Sequence, residues 1–172
     1  MWSDAVTVKK GDYAEDIVRS IAEQYGYIVY RPVGDKAHAI DGFAVKFAPK
    51  DLIIIGIECK AKSRRNFYED TGFNYSNFLI YKKIQEKYKI EVFIFFIDEH
   101  LAEIYGNFLK ELSKKCVVNG LKYPRVETCR GKKIIFFPIS NMIRNIFSLD
   151  TKKVEVLKKF SSRNYEYNEM KD

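Results

Sequence analysis

The sequence predicts an α/β fold, in which helices pack in layers against a β-sheet. Segments with helical periodicity alternate along the chain with short apolar segments of strand length, and this alternation is typical of α/β proteins. The segment at residues 52–57 is almost wholly apolar, as expected for a strand that is covered on both faces. With 172 residues, of which 47% are hydrophobic, the chain is long enough to bury the core of one domain.

The first helix is predicted from about Asp12 to Gly26. Asp12 is placed to cap its start, with Glu15 at the capping-box spacing, and Gly26 is placed to end it. The apolar stripe of this helix comprises Ala14, Ile17, Val18, Ile21, Ala22 and Tyr25. A strand is predicted next, at residues 27–31, and Pro32 closes it.

The two strands of a hairpin are predicted at residues 38–47 and 51–62, with Pro49 and Lys50 in the turn between them. Residues 64–75 lose periodicity, so we expect a loop there. Further elements are predicted as follows: a helix at 76–88 with Ile80, Tyr81, Ile84, Gln85 and Tyr88 on one side, strands at 91–97, 102–105 and 132–139, and helical segments at 107–115, 140–147 and 152–160.

The composition excludes several classes of protein. No apolar run reaches the ~18 residues of a membrane span, and the first residues lack the order of a signal peptide. We therefore expect a soluble cytoplasmic protein that does not associate with a membrane. The three separate cysteines, Cys59, Cys116 and Cys129, predict neither a zinc site nor a disulfide framework. We expect one domain over residues 1–172, with a mobile polar tail at residues 161–172.

The net charge of +7 favours a polyanionic partner, because lysine and arginine side chains that neutralise phosphates release counterions. Basic residues gather at several places, among them residues 60–65 and 130–133. Ordinary solvated lysines would give the same composition, so the charge alone does not decide the question.

The candidate chemistry lies at the end of the apolar strand, in Glu58-Cys59-Lys60. Because side chains alternate across a strand, Glu58 and Lys60 share one face while Cys59 points to the other. Gly56 lies on the first face and leaves space beside Glu58. Charged groups at the end of a buried strand are costly to desolvate, so they need a partner or a function. A plain Glu–Lys ion pair would also explain them.

Asp41 lies in the preceding strand of the predicted hairpin, and folding about Pro49 brings it beside Glu58. Two neighbouring carboxylates repel each other unless a cation lies between them, and all-oxygen ligands suit Mg²⁺ or Mn²⁺. Alternatively, Asp41 accepts hydrogen bonds from a turn or from the backbone. Glu15 is a third carboxylate, at the edge of the apolar stripe of the first helix, and the sequence leaves open whether it caps the helix or faces the site.

In chain order, this arrangement resembles the PD-(D/E)XK nuclease superfamily, in its restriction-endonuclease-like and Holliday-junction-resolvase-like members. The resemblance covers residues 11–98 and rests on an acidic residue in a helix, an aspartate, Glu-x-Lys at a strand end, and a helix with Gln or Tyr. Asp41 resembles the motif aspartate, Glu58 the second acid and Lys60 the lysine.

Further positions bear on the resemblance. Glu15 resembles the acid of the first helix, and Gln85, with Tyr81 and Tyr88 nearby, resembles the Gln/Tyr positions that some members carry on the following helix. Ile40 stands where the motif has a proline, a replacement that is common in the superfamily. The resemblance implies a restriction-endonuclease-like core, with a central mixed β-sheet flanked by helices.

The resemblance also implies a nuclease that depends on Mg²⁺ or Mn²⁺. Asp41, Glu58 and the backbone carbonyl of Cys59 would bind the metal ion. Lys60 would orient the attacking water or neutralise charge in the transition state. Gln85 would hold water or a phosphate, although a half-buried polar residue at a helix edge is equally expected.

The predicted loop after the site carries candidate nucleic-acid contacts, because basic side chains neutralise phosphates and aromatic rings stack on bases. These residues are Lys62, Arg64, Arg65, Tyr68 and Tyr75. A merely solvated loop is the alternative. The favoured function is a DNA endonuclease, with DNA preferred over RNA, and cutting two strands at once would favour a homodimer. The rivals are a non-catalytic nucleic-acid-binding module of the same fold and a plain α/β interaction domain.

Overall fold

The computed structural model describes residues 6–33 and 38–161. The helices are α1 (Val6–Gln24), α2 (Tyr75–Tyr88), α3 (Leu109–Leu112) and α4 (Thr151–Lys159). The strands are β1 (Ile28–Tyr30), β2 (Gly42–Phe47), β3 (Leu52–Lys60), β4 (Asp70–Asn74), β5 (Glu91–Asp98), β6 (Glu103–Phe108), β7 (Cys116–Val118), β8 (Leu121–Tyr123), β9 (Arg125–Cys129), β10 (Lys132–Pro138) and β11 (Ile143–Ser148). A 3-10 turn, Ile139–Asn141, precedes β11.

The central sheet has six strands, in the order β1-β2-β3-β5-β6-β11. β3 and β5 are parallel, whereas the other neighbouring strands are antiparallel, so the sheet is mixed. Parallel neighbours need a crossover connection, and the segment that contains β4 and α2 supplies it. The prediction of a central mixed sheet flanked by helices is confirmed.

Each face of the central sheet carries its own apolar core. Alternate residues of β5 enter opposite cores, with Ile94 and Phe96 on one face and Phe95 and Ile97 on the other. The first core is closed by α2 together with a smaller sheet of order β4-β10-β9. The second is closed by α1 and α4. A two-stranded sheet of β7 and β8 completes the strand pairing of the described residues.

The start of the first helix differs from the prediction. α1 is already helical at Val6, and Asp12 is an exposed residue within it, so the prediction of Asp12 as N-cap is wrong. The additional turns are held by tertiary contacts, since Lys10 donates to buried Glu99 at 2.6 Å. The capping-box explanation of Glu15 therefore fails. The helix ends as predicted, before Gly26, whose φ of +80° suits glycine.

The apolar run that opens β3 is more exposed than predicted. Leu52, Ile53 and Ile54 are 54%, 37% and 41% exposed. The reason is the length of the strand, because β5 begins to pair with β3 only at Ile55, so the preceding residues extend past the covered part of the sheet.

The predicted loop at residues 64–75 contains a buried strand. β4 pairs along β10, and Asp70, Thr71, Gly72 and Phe73 are all buried. Periodicity gave no signal because this strand is covered on both sides despite its polar residues. The loop prediction is wrong for this half of the segment.

The helix predicted at residues 140–147 is also wrong, because a 3-10 turn and β11 occupy these positions. β11 contains a β-bulge between Ile143 and Phe147, where Asn145 has a φ of 51°. A bulge adds residues to one strand and shifts its alternation. The apolar residues therefore recur at spacings of three and four, as they do in a helix.

The helix α2 is confirmed, but its buried side differs in part from the prediction. Phe78 and Tyr81 are buried, whereas Ile80 and Tyr88 are 41% and 58% exposed. Residues 162–172, most of the tail that was expected to be mobile, lie outside the described residues. None of the described helices is long and apolar enough to cross a membrane. The number of domains stays a prediction.

Candidate active site

The pairing of β2 with β3 brings Asp41 and Glu58 together. Gly42 pairs with Ile57 in antiparallel register, so Asp41, which directly precedes β2, lies beside Glu58 near the end of β3. Asp41 Oδ2 accepts a hydrogen bond from the Cys59 amide at 2.7 Å, and the Asp41 amide donates to Glu58 Oε2 at 3.3 Å. Each carboxylate is thus fixed by the backbone of the other residue's segment.

Glu58 is 3% exposed, and two further groups hold its Oε1 atom. The Lys60 ammonium forms an ion pair with it, as the alternation along β3 predicts. The Tyr81 hydroxyl, from the second turn of α2, donates to the same oxygen at 2.6 Å. The Lys60 ammonium also lies 5.7 Å from the centre of the Tyr81 ring. Glu58 therefore has a fixed orientation and keeps Oε2 towards Asp41.

The electrostatics of the site are dominated by the burial of its carboxyl groups. Burial raises the pKa of Glu58, and repulsion from Asp41 adds to this, while Lys60 opposes it. Burial likewise raises the pKa of Asp41, against the effects of the Cys59 amide and Lys60. Both acids would ionise more readily beside an additional cation.

Glu15 faces this cluster from α1. It lines a cavity of about 10 Å³, together with Asp41, Glu58 and Cys59, which is enough for one water-sized particle. Burial raises the pKa of Glu15 to about 7, and repulsion from Asp41 contributes. The structure thus places Glu15 at the site rather than at a helix cap.

Arg31 lines the same cavity, just beyond β1, and was not among the predicted site residues. One nitrogen of its guanidinium pairs with Asp16 at 3.0 Å. Its Nη2 atom is buried and has no hydrogen-bond partner among the described residues. Its charge lowers the pKa of both Glu15 and Asp41. No sequence signal distinguishes this arginine, because β1 carries no motif.

The donor atoms at the site fit a divalent cation of the Mg²⁺ type. They are carboxylate oxygens, which such hard cations prefer, and burial raises the pKa of both carboxyl groups, an effect that a neighbouring cation would oppose. Within residues 6–33 and 38–161, however, no three Asp, Glu, His or Cys side chains converge as a preformed metal-binding group. The structure therefore offers two carboxylates, from Asp41 and Glu58, with Glu15 across the cavity.

Two other predicted site residues make contacts of a different kind. Gln85 donates to the Glu91 side chain at 3.1 Å, and Glu91 pairs with Ile55, three positions before Glu58. Gln85 is therefore not brought into contact with the carboxylate cluster, and Tyr81, one turn earlier in α2, takes that place. Cys59 contacts Asp41 through its amide, and its carbonyl as a metal ligand stays a prediction.

The five predicted nucleic-acid contacts differ in what they already bind. The Arg65 guanidinium is held by Asp70 at 2.6 Å and Glu127 at 2.8 Å, and it lies over the rings of Tyr68 and Phe136. Its five donors are thus largely used within the protein. Arg65 therefore has a structural role within the protein, which the sequence did not predict.

The other four residues differ in their exposure. Arg64 is half-buried, and its guanidinium lies 3.7 Å from exposed Glu69. Lys62 and Tyr68 are exposed, while Tyr75 begins α2 and stacks on Phe78 at 5.9 Å between ring centres. Contact of these residues with nucleic acid stays a prediction.

Comparison with known proteins gives structural neighbours. No family model matches the sequence, and no curated protein matches it. The chain is similar to Hjc, a Holliday junction resolvase from the archaeal hyperthermophile Archaeoglobus fulgidus, with a TM-score of 0.50 and 12% identity, over 86% of this chain and 99% of that chain. A nuclease from a fusselovirus, D212, gives a TM-score of 0.42 and 12% identity, over 91% and 88% of the two chains. At 12% identity the likeness to the resolvase shows the fold alone: the chain has the predicted restriction-endonuclease-like α/β fold.

Proposed function

We propose that this protein is a metal-dependent nuclease that hydrolyses phosphodiester bonds, and specifically a DNA endonuclease. The observation that carries the proposal is the convergence of Asp41, Glu58 and Lys60 at one end of β3, where backbone amides fix both carboxylates. The arrangement follows the order of the PD-(D/E)XK motif. The fold shared with a Holliday junction resolvase supports a DNA substrate.

Each residue of the site would have a different role in the reaction. Asp41 and Glu58 would hold Mg²⁺ or Mn²⁺, which when bound would activate water and offset negative charge on the phosphate. Tyr81 orients Glu58, and the Asp41–Cys59 hydrogen bond orients Asp41. Lys60 would direct its ammonium to the attacking water or to the charge that develops on the phosphate.

Two charged groups would complete the site. Glu15, whose pKa is about 7, would accept a proton near neutral pH from a water in the adjoining cavity. Arg31 would offer its buried Nη2 to a phosphate oxygen. Cleavage of opposite strands would need two copies of the site, as in a homodimer.

The test is incubation with plasmid, four-way junction, single-stranded DNA and RNA, each in Mg²⁺, Mn²⁺ and EDTA. We expect cleavage of DNA in either metal and none in EDTA. Lys60→Ala should lower the rate by about two to three orders of magnitude, since it removes an electrostatic contribution of roughly 3–4 kcal/mol. Asp41→Asn should lower metal affinity as well, because it removes a charged ligand.

Thermal melting with and without Mn²⁺ separates unfolding from lost chemistry. A folded Lys60→Ala protein that cuts as fast as the wild type would exclude the proposed site. Salt-sensitive DNA binding without any cleavage would instead identify a non-catalytic nucleic-acid-binding module.

A further inference from the structure

The hairpin formed by β9 and β10 has a tight turn with an unusual residue. Cys129 pairs with Lys132, so the turn consists of Arg130 and Gly131, whose φ angles are 49° and 76°. Two residues with positive φ give the turn that matches the twist of the flanking strands. Arginine is a poor choice for such a backbone, because its Cβ is crowded there.

A second hairpin in the same molecule has the residues that are usual for this type of turn. Between β7 and β8 the turn is formed by Asn119 and Gly120, with φ angles of 49° and 77°. Asn-Gly is the favoured pair for this geometry. The two turns have nearly the same backbone, yet one of them places a guanidinium at the tip.

The β9–β10 turn adjoins the candidate active site. The Lys60 ammonium lies 5.9 Å from the centre of the Phe73 ring, and Phe73 pairs with Ile135 of β10. Lys132 lies three residues before Ile135, which is about 10 Å along a strand. Lys62, two residues beyond β3, lies near enough to both Lys60 and Lys132 for the charge of each to act on its ammonium group.

The basic residues at this place differ from the arginines of the small sheet in their ion pairs. Arg65 and Arg125, further along the small sheet, are neutralised by Asp70 and Glu127. By contrast, Lys62 and the turn residues Arg130, Lys132 and Lys133 form no ion pair with a carboxylate of the described residues.

The ammonium group of Lys62 is repelled by the neighbouring lysines. Although the side chain is exposed as a whole, partial burial of its ammonium group lowers its pKa, and the charges of Lys60 and Lys132 lower it further. Cations that crowd together in this way are stabilised by an added anion. The neighbourhood of Lys60 makes a phosphate of the substrate the anion that fits.

We propose that Arg130, Lys132 and Lys133, together with Lys62, form a nucleic-acid-binding surface that holds backbone phosphates of the strand next to the cleaved bond. The identity of the ligand of this surface, DNA, rests on the proposed function. The surface contacts phosphates rather than base edges, so it contributes affinity without sequence preference.

The test measures equilibrium binding of a fluorescein-labelled four-way junction and of a duplex with the sequence of one arm. The protein carries Lys60→Ala and the buffer contains EDTA, so that binding does not depend on cleavage. The variant is Arg130→Asn with Lys132→Gln and Lys133→Gln. The matched control is Lys50→Gln, which removes an exposed lysine from the turn at the other end of β3.

We expect the triple variant to reduce the slope of log K against log salt by about two to three units, and the control to leave it unchanged. At low salt the triple variant should lose roughly 10- to 1,000-fold in affinity for both probes. A slope equal to that of the control would overturn the proposal, whether or not the wild type cuts DNA. If the wild type does not cut DNA but the triple variant still reduces the slope, the nuclease proposal would be wrong and the proposed binding surface would stand.

The single variant Arg130→Asn tests whether a reduced slope could result from misfolding. It replaces arginine by the residue that the β7–β8 turn uses, so the melting temperature should stay the same or rise. A purely structural arginine would lower the melting temperature when it is replaced. The binding role predicts a slope reduced by roughly one unit in a protein that is at least as stable.

Discussion

Two buried tyrosines in this molecule each donate a hydrogen bond to a buried carboxylate. Tyr81 donates to Glu58 at 2.6 Å, and Tyr105 donates to Asp98 at 3.0 Å. Burial raises the pKa of each hydroxyl, and the neighbouring carboxylate raises it further, so both tyrosines stay protonated donors. The two pairs are chemically alike, but only the first belongs to the candidate active site.

This likeness gives a controlled prediction for Tyr81→Phe. Removal of the hydroxyl should cost about 1 kcal/mol of stability and hold Glu58 less firmly in its orientation, so that cleavage slows as well. Tyr105→Phe should cost a similar amount of stability without a comparable loss of rate. Urea unfolding and initial cleavage rates of both variants are the measurements. Equal rate losses at equal stability would show that Tyr81 only supports the fold.

A second prediction separates two adjacent arginines. Arg65→Ala leaves fully buried Asp70 without its bidentate partner, which should destabilise the fold by about 3–5 kcal/mol. Arg64→Ala removes a guanidinium that lies 3.7 Å from exposed Glu69, so it should change stability by less than about 1 kcal/mol. Chemical denaturation decides between them. An Arg65→Ala protein as stable as Arg64→Ala would contradict the role of this ion pair.

The residues of the site were predictable to different degrees. Strand alternation was enough to place Glu58 and Lys60 on one face, and the hairpin spacing placed Asp41 beside them. The resemblance named Tyr81 only beside Gln85, and a contact between distant elements decides that Tyr81 is the one that reaches Glu58. Arg31 also joins the site through tertiary contacts, and it carries no local pattern, so no sequence rule that rests on spacing would single it out.

At the scale of elements, one glycine controls how β3 meets the segment before β2. A Cβ atom on Gly56 would lie 2.6 Å from the terminal methyl carbon Cδ1 of Ile40, and Ile40 directly precedes Asp41. The space that the sequence predicted beside Glu58 is therefore filled by Ile40. Side-chain packing at this point fixes the position of the metal-ligand candidate.

We accordingly predict that Gly56→Ala destabilises the protein by about 1–3 kcal/mol through overpacking and lowers metal affinity by displacing Asp41. Ile40→Val removes the methyl group that the new Cβ would meet, so the double variant should recover part of both losses. Denaturation and Mn²⁺ titration of the four proteins form a double-mutant cycle. Strictly additive effects would mean that the two residues do not interact.

Elements with one clear periodicity were predictable, and composite ones were not. The helix α2 and the strand β5 follow single patterns and lie within two residues of their predicted bounds. The bulge in β11 gives a strand the spacing of a helix. β4 is stabilised by pairing with β10, some sixty residues later, and no local pattern reports a partner at that distance.

For the whole molecule, the carboxylate cluster links folding to pH. The pKa of Glu15 is about 7 in the folded protein against an ordinary value of 4.5. Between these values the folded state keeps a proton that the unfolded state releases, so raising the pH favours unfolding. Burial also raises the pKa of Asp41 and Glu58, which gives their contributions the same sign.

In EDTA, the melting temperature should therefore fall as the pH rises from about 5 to about 8, and Glu15→Gln should flatten this decline by removing one ionising group. Glu23→Gln, on an exposed position of the same helix, is the matched control and should leave the decline unchanged. Mn²⁺ should raise the melting temperature more at pH 8 than at pH 5, because the ligands must lose their protons before they bind. Asp41→Asn should abolish most of this metal-dependent rise. A wild-type melting temperature that increases steadily over this pH range would show that the three carboxylates are not strained by burial, and the electrostatic case for a bound cation would fall with it.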